Sequence, residues 1–262
     1  MHAKEISSTN NPKIKELILL REKSKYRKVQ QKFIVEGKRE ICAAVKSGYF
    51  LEELYQCTQI SHEIPEIFIP VKLYLVTPHI YSKIALRDAT EGLIAIFKTP
   101  EIKLESVILS ENPLIIVLES VEKPGNIGAI LRTADAAGAD AVIICDSLSD
   151  IYNPNLIRAS IGTVFSCNVI TCSSEEAYQW LSKNNISILS AQLQDSKPYY
   201  DTDMKGGTAI VLGSESDGLK SFWRERSYKK IRIPMNGIAD SLNISVTAAV
   251  LCFEAIRQRN IK

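Results

Sequence analysis

Short apolar runs of strand length alternate with amphipathic stretches along most of the chain, and the rhythm changes near residue 100. Upstream, Phe33-Ile-Val-Glu-Gly37, 52–56, 72–76 and 92–97 read as strands. Between them, 38–47 sets Ile41, Ala44 and Val45 on one helix face and stops at Gly48, and 78–86 forms a further small helix. Before them, Ser7-Ser-Thr-Asn-Asn-Pro12 offers several caps with Pro near the first turn, ahead of a basic helix carrying Ile14, Leu17 and Ile18. This alternation predicts a small α/β/α domain over 1–100.

Thr99-Pro100 and the polar residues to Asn112-Pro113 read as a linker (101–113). From 114 to 262 the pattern is that of an α/β domain with a mostly parallel sheet. Leu114-Ile-Ile-Val-Leu118 is continuously apolar, as a strand covered on both faces requires. After a loop holding Lys123, Pro124, Gly125 and Asn126, a helix runs through Ala137 to a stop at Gly138. Strands follow at 141–145, 168–171, 186–189 and 209–212, with a helix at 174–183. An extended run at 230–233 is broken by Pro234 and Gly237. Asp240, Ser241 and Asn243 then cap a helix along which Val246, Val250 and Phe253 recur at helical spacing.

Composition narrows the class. With 262 residues, 45% hydrophobic and 24% charged, the chain can bury a core in each of two domains. It has no apolar run of about 18 residues and a polar start unlike a secretory signal, so a cytoplasmic protein with no membrane contact is expected. The six cysteines include no Cys-x-x-Cys pair and the three histidines are dispersed, which favours reduced thiols and no metal site. The net charge is +2, but residues 13–39 carry ten Lys or Arg against three acids. Such a stretch is either a contact for a nucleic-acid backbone or a solvated helix face.

Three segments carry candidate chemistry. In Asn126-Ile-Gly-Ala-Ile-Leu-Arg132-Thr-Ala, glycines at a strand-to-helix turn suggest a phosphate, but G-x-x-G is not the dinucleotide fingerprint G-x-G-x-x-G. Arg132 offers a planar fork that suits a phosphate, or else a salt bridge to a nearby acid. In Leu212-Gly-Ser-Glu215-Ser-Asp-Gly218-Leu, Gly213 lets the backbone turn sharply so that a flat ligand can approach the strand end. Glu215 is either a helix-start acid or a supporting group of a site. In the third segment, 233–250, Ile233, Met235 and Leu242 are apolar residues on loop ends, and Ser241 and Asn243 are polar residues that also suit a helix cap.

Taken in this order, these segments resemble the three motifs of the SpoU (TrmH-type) RNA 2'-O-ribose methyltransferases of the SPOUT superfamily. Upstream, Phe33 to Gly37 with its helix, and Thr90-Glu-Gly-Leu-Ile-Ala-Ile, resemble the substrate-binding domain that often precedes them. The resemblance implies a ribosomal-protein-like RNA-binding domain and a homodimeric trefoil-knot catalytic domain. It implies S-adenosyl-L-methionine at Gly213, Ile233, Met235 and Leu242, and a catalytic set of Asn126, Arg132, Glu215, Ser241 and Asn243. Arg132 would act on the target 2'-hydroxyl, either as base or by aligning it, with Glu215 holding Arg132 or Asn126. Asp240 stands where the family commonly has Glu. The implied substrate is structured RNA, foremost 23S ribosomal RNA. A transfer-RNA methyltransferase, a resistance methyltransferase and a non-catalytic RNA-binding or ribosome-assembly protein are the alternatives.

Overall fold

The computed structural model describes residues 3–68, 72–86, 91–146 and 149–260, which leaves Thr90 outside the described residues. The chain divides into two units, 1–101 together with 150–166, and 102–149 together with 167–262.

In the first unit, β1 (Lys4–Ile6) leads into α1 (Pro12–Glu22) and α2 (Ser24–Gln30). The Asn11 side chain accepts from the Lys13 amide at 2.9 Å, and Pro12 sits in the first turn, where its missing amide costs nothing. Then come β2 (Lys32–Glu36), α3 (Lys38–Lys46), β3 (Leu51–Gln56), β4 (Lys72–Val76), α4 (Pro78–Ile84) and β5 (Leu93–Lys98). The strands form one mixed sheet in the order β1-β4-β3-β5-β2. Ile14, Leu17 and Leu20 of α1 close its core against Ile34, Tyr55, Ile80 and Ile96.

Two short helices distant in sequence complete this unit, α6 (Pro154–Ala159) and α7 (Thr163–Ser166). Tyr152 stacks on Phe33 with centroids 4.3 Å apart, and Phe165 lies 5.9 Å from the same ring. Arg27, 4% exposed, donates to Asp150 Oδ2 at 2.6 Å and to the Leu20 carbonyl at 2.6 Å. The basic stretch is therefore partly internal structure. Lys13 pairs with Glu16 and Glu53, Lys32 with Glu52, and Arg21 with Glu22 and the carbonyls of Lys83 and Ala85. Lys15, Lys23, Lys25, Lys28, Lys38 and Arg39 are exposed.

The second unit holds β6 (Leu114–Glu119), α5 (Pro124–Ala137), β7 (Ala141–Cys145), β8 (Val169–Cys172), α8 (Ser174–Lys183), β9 (Ser187–Ala191), β10 (Lys197–Pro198), β11 (Thr208–Leu212), α9 (Ser221–Arg226), β12 (Lys229–Arg232) and α10 (Ile244–Asn260). Its strands run in the order β10-β12-β9-β11-β6-β7-β8, and every pairing is parallel. α8 spans the predicted residues because Ser173 and Glu176 form a reciprocal capping box. Gly125 and Asn126 belong to the first turn of α5 rather than to a loop before it. On α10 the buried apolar residues are Ile244, Ala248, Leu251, Cys252 and Ala255, while Val246 (47% exposed) and Phe253 (48%) face outward. No described helix is long and apolar enough to cross a membrane.

Candidate functional site

The carboxyl ends of β9, β11 and β12 open onto a cavity of about 520 Å³, where an open parallel sheet exposes strand ends free of crossover helices. Leu212 and Gly213 leave β11 at its edge, Ile231 and Arg232 end β12 there, and Ala191 ends β9. The loop after β12 supplies Ile233, Met235, Ser241, Leu242 and Asn243 before α10 begins. All four residues predicted to meet the cofactor thus line one cavity, as do Glu215, Ser241 and Asn243 of the predicted catalytic set.

Glu215 is the junction of the three segments. Asn126 Nδ2 donates to Glu215 Oε1 at 2.8 Å, Asn243 Nδ2 donates to the same oxygen at 2.8 Å, and Asn243 Nδ2 also lies 3.3 Å from Asn126 Oδ1. Lys123 Nζ pairs with Glu215 Oε2. The hydrogen bonds from Lys123 and then Asn126 hold the Glu215 carboxyl below its ordinary value, so it is a fixed anion at neutral pH. A carboxylate with these partners positions its neighbours.

Asn243 has a second task. Its Oδ1 accepts from the Ser245 amide at 2.9 Å and from Ser245 Oγ at 2.7 Å, which caps α10. Both readings of this residue hold together, because the amide has a donor and an acceptor end. Ser241 Oγ donates to Asp240 Oδ1 at 3.0 Å and remains exposed.

Gly213 makes the sharp turn at the end of β11 that its place in the sequence suggests. A Cβ there would collide with the backbone of Gly218 and Leu219, so the loop folding back on itself requires the glycine. The isolated bridge between Ser214 and Gly218 closes that turn.

Arg132 stands apart. It is exposed on α5, does not line the cavity and bonds none of the described residues; Glu215 holds Asn126, not Arg132. Other residues at the site were not singled out from sequence. Lys123, and Gln192, Leu193 and Gln194 along the cavity, belong to no motif in the sequence. The signal for the last three is their place immediately after a parallel strand. Arg224 on α9 also lines the cavity, and its Nε is buried with no acceptor.

The walls suit S-adenosylmethionine. Ile233, Met235, Leu242 and Leu251 give apolar surface for a flat base, and Glu215, Gln192 and the unspent Arg224 give polar anchors.

Comparison with known proteins agrees. A model described as the SpoU rRNA methylase family matches residues 113–253, and one described as an MRM3-like substrate binding domain matches 11–95. The 23S rRNA (guanosine(2553)-2'-O)-methyltransferase RlmP of Bacillus subtilis (strain 168) is 27% identical over 251 residues, 95% of this chain and 98% of that one. A crystal structure of an RNA 2'-O ribose methyltransferase superposes with a TM-score of 0.84 at 39% identity, covering 98% of this chain and 100% of that one. The AdoMet-bound rRNA methyltransferase of Sinorhizobium meliloti gives 0.89 at 28% identity, covering 99% of each.

Proposed function

Because this chain belongs to the SpoU rRNA methylase family, we propose that it methylates a ribose 2'-hydroxyl of 23S ribosomal RNA with S-adenosylmethionine as donor. One observation carries this reading: Glu215 ties Asn126 and Asn243 together at the edge of the cavity lined by Gly213, Ile233, Met235 and Leu242. Three segments far apart in sequence have no structural need to meet there as a set.

Bound S-adenosylmethionine supplies an activated methyl group. Ile233, Met235 and Leu242 hold its apolar parts and exclude water. Glu215 fixes the amides of Asn126 and Asn243, leaving Ser241 free to meet the ribose. The reaction then rests on alignment of the reacting groups. Arg132 binds the phosphate beside the target ribose and steadies charge developing on the 2'-oxygen, a role that suits the planar fork of donors of a guanidinium.

The protein acts as a homodimer, and the exposed apolar stripe of Val246 and Phe253 on α10 supports this. α10 packs on α5, the helix that carries the exposed Arg132. The trefoil knot of the family completes this picture of the catalytic unit. The first unit binds RNA through its exposed lysines, and the substrate-binding-domain match over 11–95 supports that role.

Mapping 2'-O-methyl groups across total RNA, with and without the gene, tests the function. Loss of one mark in 23S rRNA is expected; an unchanged map would overturn the reading.

A further inference from the structure

Two guanidinium groups line the cavity, and only one of them is committed. Arg232 donates from Nη1 to the Ser196 carbonyl. Arg224 has its Nε buried without an acceptor, and no bond ties its side chain to the described residues. The nearby buried carboxylate, Glu119, accepts from the Lys220 amide on Oε2 at 2.7 Å and acts on Arg224 through its charge, with no hydrogen bond between the two side chains. A half-buried guanidinium with an unpartnered donor carries a desolvation cost, and an anion meeting the part of it that lines the cavity would offset that cost.

The fold holds Arg224 in place. It follows Trp223, which is fully buried and donates from Nε1 to Ser174 Oγ at 3.0 Å, so α9 cannot swing outward. Gly218 lies beside the guanidinium, where a Cβ would be 3.7 Å from Arg224 Nη2. Its Nε is shut in by protein, while other atoms of Arg224 line the cavity.

Of the chemical groups of S-adenosylmethionine, only the amino-acid carboxylate is an anion. We propose that Arg224 takes this carboxylate and is the anchor for the amino-acid end of the cofactor. The inference rests on the cavity being the S-adenosylmethionine site. It makes Arg224 a positioning residue: fixing the tail sets where the methyl group can point, while the apolar walls hold the base.

Calorimetric titration of the full chain with S-adenosylhomocysteine and with 5'-methylthioadenosine, which lacks the amino-acid carboxylate, separates the possibilities. Arg224→Gln is expected to weaken S-adenosylhomocysteine by about tenfold to a hundredfold and to leave 5'-methylthioadenosine unchanged. Arg224→Lys, which keeps the charge without the fork, should recover part of the loss and serves if the Gln variant does not fold. Equal weakening of both ligands, or of neither, would overturn the assignment while the cofactor reading stands. A wild-type chain that binds neither ligand would overturn both.

Discussion

Asn243 donates to Glu215 Oε1 at 2.8 Å, and Asn126 reaches the same oxygen at the same distance. One carboxylate oxygen thus joins a helix start at 126 to another at 243. Asn243→Asp and Asn243→Ala separate the two tasks of this residue. Asp still caps α10 through its carboxylate but is repelled by Glu215, so transfer should fall by on the order of a hundredfold with little change in Tm. Ala should lose the transfer and also about 1 kcal/mol of stability. Thermal melts beside turnover measurements check both.

Glu215 itself gives a pH signature. Its folded value lies below the ordinary carboxylate value of 4.5, so its ties persist above that value and are lost only as pH falls through the lower folded value. The carboxyl carbon in NMR should titrate below 4.5 in the wild type, and Lys123→Ala should move its midpoint upward.

Gly213→Ala should damage the cofactor site without touching a side chain that lines it. The new methyl meets the backbone of Gly218 and Leu219, so the loop must open. Loss of S-adenosylmethionine binding in calorimetry with retained helical signal in circular dichroism is expected.

The basic stretch splits into two kinds of residue. Arg27→Ala leaves Asp150 buried without its partner and should cost roughly 3–5 kcal/mol in denaturant unfolding. Lys25→Ala with Lys28→Ala should leave stability alone and weaken RNA binding. The slope of log affinity against log salt should fall by about 0.7–0.9 per phosphate contact removed.

These differences mark what the sequence could show. Most strands and helices were legible because apolar periodicity is local, though β1, α6 and α7 were not; α8 was legible to the residue because its cap is written in Ser173 and Glu176. α9 escaped notice because one buried tryptophan in six residues makes no period. The joining of 150–166 to the first unit depends on Tyr152 meeting Phe33, a contact across more than a hundred residues that no local pattern encodes. On α10 the stripe of Val246, Val250 and Phe253 is real, but periodicity cannot say which of two apolar faces looks inward. The gathering of Asn126, Glu215 and Asn243 was anticipated only through the family resemblance; spacing alone leaves those residues as separate caps and turns.

The outward stripe on α10 has its own test. Phe253→Asp should shift the chain from dimer to monomer in sedimentation velocity, with the secondary structure intact.

The most direct measurement incubates the chain and unmethylated 23S rRNA with S-adenosylmethionine labelled in the methyl group, followed by alkaline hydrolysis of the RNA. A methylated ribose blocks cleavage of the adjacent bond. The account predicts label in one alkali-resistant dinucleotide and its loss in Glu215→Ala. Label recovered in mononucleotides, or undiminished in Glu215→Ala, would contradict it.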